Sequence, residues 1–173
     1  FWSLMWDFSE IKGSKGKKIT ENIGRMPGAR FFPDAKLNYA ENLLRAADNA
    51  IAIEEFREDG FSNTLTRMEL ESKALKMAGW MKSKGVKKGD RVCAYMPNCS
   101  ETVITMLATS ALGAIFSSCS SDFGIEGVID RFEQIEPKIM IATDGYLYNG
   151  KVIDRSEEIK TISKSIPSLE HNI

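Results

Sequence analysis

The residues best equipped for chemistry lie in Asp144-Gly145-Tyr146-Leu147-Tyr148-Asn149-Gly150-Lys151. Tyr148 offers a ring face, Asn149 an amide, Gly150 an unhindered backbone and Lys151 a cation. These are the groups that stack an adenine, admit a ligand closely and pair with a phosphate. A plain β-to-α loop tolerates the same residues, and the residues alone leave both readings open. Ser117, Ser118, Ser120 and Ser121 end a strand and lead into a helix, the position where open α/β sheets bind ligands. The run contains neither Gly-x-x-x-x-Gly-Lys-Ser/Thr nor Gly-x-Gly-x-x-Gly, so it identifies no P-loop or dinucleotide site. Asp122-Phe123-Gly124 spells the metal-binding triplet of protein kinases, but no Gly-rich strand loop and no His-Arg-Asp loop precede it. Asp122 is read instead as a negative charge that helps to start the next helix. His171 is the only histidine and is read as solvent-exposed, which argues against a Ser-His-Asp or Cys-His nucleophile.

Composition narrows the classes. The 173 residues are 43% apolar and 27% charged, enough for a real core. Twenty-three basic and 24 acidic residues give a formal charge of -1, which supplies no overall field for nucleic acid or an acidic membrane. The four lysines between Lys12 and Lys18 accordingly read as a solvated loop. Cys93, Cys99 and Cys119 are odd in number and lack metal-ligand spacing, and so read as reduced, mostly packed thiols of an intracellular protein. Thr102 to Ser121 is free of charge over 20 residues, the length of a membrane span. Gly113 and frequent serines and threonines divide it into a helix and a strand of a soluble core, so no membrane span is expected.

The positioning elements are legible between Gly89 and Thr143 as two strand-helix-strand steps. Val92 to Met96 predicts a buried strand stopped by Pro97-Asn98. Asn98 with Glu101 predicts a capping pair, and a helix runs to Gly113. Ala114 to Phe116 is strand-like. A second helix starts near Gly124, with Ile125, Val128, Ile129, Phe132 and Ile135 on one face and Pro137 as its stop. Lys138 to Thr143 gives a third strand. Helical crossovers of this length imply a parallel sheet covered on both faces.

Around this centre, Phe1 to Phe8 is expected to pack on the core of a larger body. Phe31 to Lys36 makes a turn before a helical face of Leu37, Ala40, Leu43 and Leu44. Ala50 to Phe56 and Phe61 to Leu65 form an antiparallel hairpin about Glu58-Asp59-Gly60. Thr66 and Glu69 form a capping box for a helix striped with Leu70, Ala74, Met77, Ala78 and Met81 and closed by Gly85. A last helix spans about Asp154 to Ser165. Phe1 is not an initiator methionine, and the sheet looks unfinished at Ile173, so the chain is expected to be a piece of something longer.

These blocks resemble the N-terminal part of acyl-CoA synthetases in the adenylate-forming superfamily, most closely the acetoacetyl-CoA synthetase branch. The likeness rests on Phe32-Pro33 with Lys36 through Leu44, Gly89-Asp90-Arg91-Val92 with Tyr95 through Asn98, and Gly113 through Ser120 leading to Asp122-Phe123-Gly124. Ile135-Glu136-Pro137-Lys138 and the loop from Asp144 to Lys151 continue it. The resemblance implies an α/β fold, a mostly parallel sheet with helices on both faces, as an incomplete N-terminal subdomain of the adenylate-forming fold. Residues 1–45 would be an N-terminal segment and 46–173 the first α/β subdomain of the AMP-binding domain.

It further implies ATP-dependent ligation of acetoacetate to CoA, with Mg²⁺, through an acyl-adenylate, releasing AMP and pyrophosphate. Sister acetyl- or propionyl-CoA synthetases and a non-catalytic α/β binding module are the alternatives. The implied partners are small molecules: acetoacetate, ATP and CoA. Tyr148, Asn149, Gly150 and Lys151 match a loop that contacts the nucleotide part of CoA, with arginines in acetyl-CoA synthetases where this chain has Tyr148 and Lys151. A lysine meets a phosphate as a point charge, without the arginine fork. Those relatives also carry glycines at Ser121 and Asp122, near the pantetheine path. The family's phosphate loop and catalytic lysine would lie beyond Ile173, so no catalytic residue or metal ligand is expected here.

Overall fold

Residues 1–173 are described by a computed structural model, Ser62 by its backbone alone. Two units divide the chain, Phe1–Arg45 and Ala46–Ile173.

In the first unit, α1 (Trp2–Phe8) is followed by the antiparallel pair β1 (Thr20–Glu21) and β2 (Arg30–Phe31), and by α2 (Tyr39–Leu43). The aromatic run finds ring partners rather than a core. The Trp2 ring lies 4.7 Å from Phe31 and the Trp6 ring 4.9 Å from Phe32, while Phe1 and Phe8 stay 82% and 80% exposed. Burial of the Phe1 to Phe8 segment is therefore not seen within this unit. Asn38 caps α2 by accepting the Glu41 N–H at 3.1 Å. A helix of barely one turn cannot present a full stripe. Ala40 and Leu44 are buried, but Leu37 and Leu43 are exposed, which corrects the four-residue face. The lysine run is solvated, with Lys15 paired to Asp7 at 2.7 Å.

The second unit opens with a hairpin of β3 (Ile51–Phe56) and β4 (Ser62–Thr66). Then come α3 (Arg67–Ser83), β5 (Arg91–Tyr95), α4 (Ser100–Ala111), β6 (Ile115–Cys119), α5 (Ile125–Glu133) and β7 (Ile139–Ala142). The chain closes with β8 (Gly145–Tyr148), β9 (Lys151–Asp154), α6 (Ser156–Ser165) and β10 (His171–Asn172). Strands β10, β7, β5 and β6 pair in that order, all parallel.

Alternation along the central strands feeds two cores. Val92, Ile139 and Ile141 meet Ala78, Met81 and Ala108 of α3 and α4, whereas Cys93, Tyr95 and Met140 meet Val128, Phe132 and Ile162 of α5 and α6. The Thr66–Glu69 capping box starts α3, and each of α3 and α4 ends in a left-handed glycine. At Gly113, with φ +69°, its own N–H donates to Ser110 O and the Ala114 N–H donates to Thr109 O. This pattern closes the helix and turns the chain into β6.

Four local expectations change. Cys99, not Asn98, is the N-cap of α4, and its side chain makes no cap bond. The Ser100 N–H instead donates to the Glu55 carboxylate of β3 at 3.0 Å. Strand β6 runs on to Cys119, so Ser117 and Ser118 sit in the ladder opposite Cys93 and Ala94. Gly124 is the N-cap of α5 and Asp122 is exposed, two residues before it. The Ser121–Phe123 turn is held by the Tyr95 hydroxyl, which lies 3.0 Å from Ser121 O and 2.7 Å from Phe123 O and shares one proton between them. His171 is half-buried in β10 opposite Ile139 rather than solvated. No helix among the described residues is long and apolar enough to cross a membrane.

Candidate functional site

Strand order fixes where a ligand can sit. The chain leaves β5 toward α4 on one face of the sheet and leaves β7 toward α6 on the other. The loops therefore part between the carboxyl ends of β5 and β7, and such a switch point opens a crevice. A groove of about 1170 Å³ lies there, floored by Met96 to Cys99 and by Ala142 and Thr143. Its walls come from two hairpins: Glu55 to Asp59 on one side, and Gly145 to Leu147 with Val152 and Asp154 on the other.

The second wall corrects the loop reading. Residues 145–154 form an antiparallel hairpin, with Tyr148 opposite Lys151 and Asn149-Gly150 as its two-residue turn. Both turn residues have positive φ, +50° and +71°. That is the type I′ geometry for which Asn-Gly is the strongest short-range signal. This signal was available in the sequence. The Gly150 N–H donates to Glu58 Oε2 at 3.3 Å, tying the hairpin tip to the opposite turn.

Register then sorts the side chains. Leu147 and Val152 share one hairpin face and line the groove. Tyr148 and Lys151 share the other face with Tyr146, which still borders the groove, and both Tyr148 and Lys151 are exposed. The four sequence-selected residues are thus brought together, at the hairpin tip beside the groove rather than in its lining.

Charge divides the same two surfaces. Glu55, Glu58, Asp59, Glu101, Asp144 and Asp154 line the groove, with Arg57 as the only cation of the lining among the described residues. Arg57 is occupied by Asp59 at 2.8 Å and stacks over Phe61 at 4.6 Å. The Arg57 hydrogen bond holds the Asp59 carboxyl below its usual range, and the Ser156 backbone N–H does the same for Asp154. Such a groove repels phosphates, while the Tyr148–Lys151 face offers a ring and a cation outside the lining, with Glu58 reaching the neighbouring Gly150 N–H at the tip. Burial pushes the Cys99 thiol up, against an opposing bond from Thr102.

Sequence reasoning did not single out Arg155. Its guanidinium donates to the Tyr146 hydroxyl at 3.2 Å and to Glu158 at 3.1 Å. The Tyr146 hydrogen bond is the chief cause of its raised basicity. No local motif announces a contact made between a strand and the residue before a helix.

An open parallel α/β sheet with its crevice at the switch point is a ligand-binding architecture. The model of the AMP-binding enzyme family matches residues 41–172, and the chain belongs to that family. It is 45% identical over 166 residues to the acetoacetyl-coenzyme A synthetase of Rhizobium meliloti (strain 1021), covering 96% of this chain and 26% of the relative. It is 41% identical to the acetoacetyl-CoA synthetase of Xenopus tropicalis over 98% of this chain and 26% of that protein. The solved acetoacetyl-CoA synthetase from Streptomyces lividans superposes with a TM-score of 0.94 at 36% identity, over 99% of this chain and 27% of that one. The chain spans about a quarter of the length of the curated relatives it matches.

Proposed function

We propose that the complete protein ligates acetoacetate to CoA, using ATP and passing through an acyl-adenylate, and that this chain supplies the first α/β subdomain of its AMP-binding domain. The observation that carries this reading is similarity to acetoacetyl-CoA synthetases over 96% to 99% of the chain, in sequence and in fold. Residues 1–45 act as an N-terminal segment and 46–173 as the subdomain proper, in a protein of the cytosol.

The residues of this chain bind and orient rather than react. Tyr148 offers its ring to the adenine of CoA, Lys151 its ammonium to a phosphate, and the Asn149-Gly150 turn keeps the backbone low enough for close approach. Mg²⁺ belongs to the proposed reaction as the companion of the ATP phosphates. Among the described residues no three His, Cys, Asp or Glu side chains cluster to hold a metal ion.

Acetoacetate-dependent ATP–pyrophosphate exchange by the complete protein tests the substrate. Strong exchange with acetate or propionate and none with acetoacetate reassigns it to a sister synthetase. A relative at 33% identity is a malonamoyl-CoA synthetase of Penicillium aethiopicum, and that favours including malonamate as a second candidate acid. Lys151→Ala tests the hairpin: loss of one partly exposed charge-assisted contact weakens CoA binding by about 1 kcal/mol. An unchanged KM for CoA would remove the hairpin from the CoA site.

A further inference from the structure

Arg155 stands where β9 passes into α6, and several contacts converge on it. Its backbone N–H donates to Asp144 O at 2.7 Å and closes the base of the hairpin. Its guanidinium lies 5.6 Å from the centre of the Tyr146 ring, and reaches the hydroxyl of that residue at 3.2 Å and Glu158 of α6 at 3.1 Å. Its Nε is buried without a hydrogen-bond partner among the described residues.

A buried guanidinium N–H left unpaired is unfavourable, and an apolar side chain of similar length would fill the space without that cost. Packing therefore gives no reason for an arginine. What the arginine supplies is a rigid planar fork that fixes the Tyr146 ring relative to α6. Tyr146 lies two residues from Tyr148 and on the same hairpin face, the one that also carries Lys151. This hairpin is a two-stranded sheet of its own, outside the four-stranded ladder, and an isolated pair of strands is marginal without outside support.

We infer that Arg155 is the positioning residue for that face: through Tyr146 it sets the angle at which Tyr148 and Lys151 meet the nucleotide part of CoA. The inference rests on the reading of the hairpin as a CoA contact. Arg155 itself touches no substrate.

The test uses the complete protein and steady-state kinetics with CoA varied. Arg155→Met is expected to raise the KM for CoA about fivefold, the scale of one lost charge-assisted contact, with kcat at saturating CoA within about twofold. Arg155→Lys recovers part of the loss. Tyr146→Phe, which keeps the ring and deletes only the hydroxyl, raises KM about threefold, and combined with Arg155→Met adds nothing further. A KM for CoA within about twofold of the parent for Arg155→Met overturns the inference, including the case in which kcat alone falls, which is what a loss of folded enzyme produces. Should Arg155→Met fail to fold, Tyr146→Phe decides, and an unchanged KM there overturns the inference too. Lys151→Ala separates the two levels. If it leaves KM for CoA unchanged, the hairpin reading falls; if it raises KM and Arg155→Met does not, only the role of Arg155 falls.

Discussion

The Glu55 carboxylate of β3 accepts the Ser100 N–H at 3.0 Å, so a strand 45 residues upstream supplies the cap that α4 lacks in its own sequence. This contact anchors one wall of the groove to the start of the helix that leaves the switch point. Glu55→Ala is expected to cost about 1 to 2 kcal/mol, as for loss of a helix N-cap, read as a lower urea midpoint at unchanged slope. No shift in the midpoint would show that the bond contributes nothing to folding.

The Thr66 backbone N–H, and after it the Thr66 hydroxyl, hold the Glu69 carboxyl below the usual carboxylate range. A carboxyl lowered by folding stabilises fully above its unfolded value and loses that contribution as pH falls through the folded one. Glu69→Gln should therefore lower the thermal midpoint at neutral pH, and the deficit should vanish as pH falls through the lowered folded-state value of Glu69, below which both proteins carry a neutral side chain. A deficit independent of pH would contradict the charged capping box. Thr66→Ala should cost about 1 kcal/mol at neutral pH in the same melting experiment.

At the base of the second hairpin, a Cβ on Gly145 would stand 2.8 Å from the Ile153 carbonyl oxygen. The obstacle is space rather than φ, because the crowding atom is backbone and cannot rotate away. Gly145→Ala should spread the two strands, cost about 1 to 3 kcal/mol and raise the KM for CoA in the complete protein. Wild-type CoA kinetics in that variant would mean that the hairpin tolerates the spread or takes no part in binding.

Burial pushes the thiols of Cys93, Cys99 and Cys119 up, and Cys93 and Cys119 are also closed off by the α5–α6 core. Cys99 lines the groove and is only half-buried. Iodoacetamide at pH 8 should label Cys99 first and the other two only on unfolding, as mapped by peptide mass spectrometry. Equal labelling of all three in the folded protein would contradict the packing of β5 and β6. The rate at Cys99 should rise with pH beyond the range of an ordinary thiol, because the reactive thiolate forms late.

The parallel centre was legible because its signals are local. Short apolar runs at 92–96 and 138–143 are bounded by Gly, Pro and Asn, and the Thr66–Glu69 box and the two closing glycines each act within a few residues. The α4 cap was illegible for the opposite reason, since Glu55 gains its role only after the hairpin folds against the helix. Leu37 and Leu43 obeyed helical spacing, yet the helix is too short to bury them. At the candidate site, Tyr148 to Lys151 stood out by residue type, but the stretch was read as a loop although Asn149-Gly150 carries the hairpin signal. Arg155 carries no pattern to read. Its meaning comes from a ring nine positions away in the chain.

Because successive residues of β5 point into separate cores, the domain behaves as two halves stitched along one strand. A cavity made at Cys93 or Tyr95 would fall in the α5–α6 core, and one made at Val92 in the α3–α4 core. The crevice opens past the carboxyl end of that strand, so whatever binds there rests on loops that leave from both cores at once.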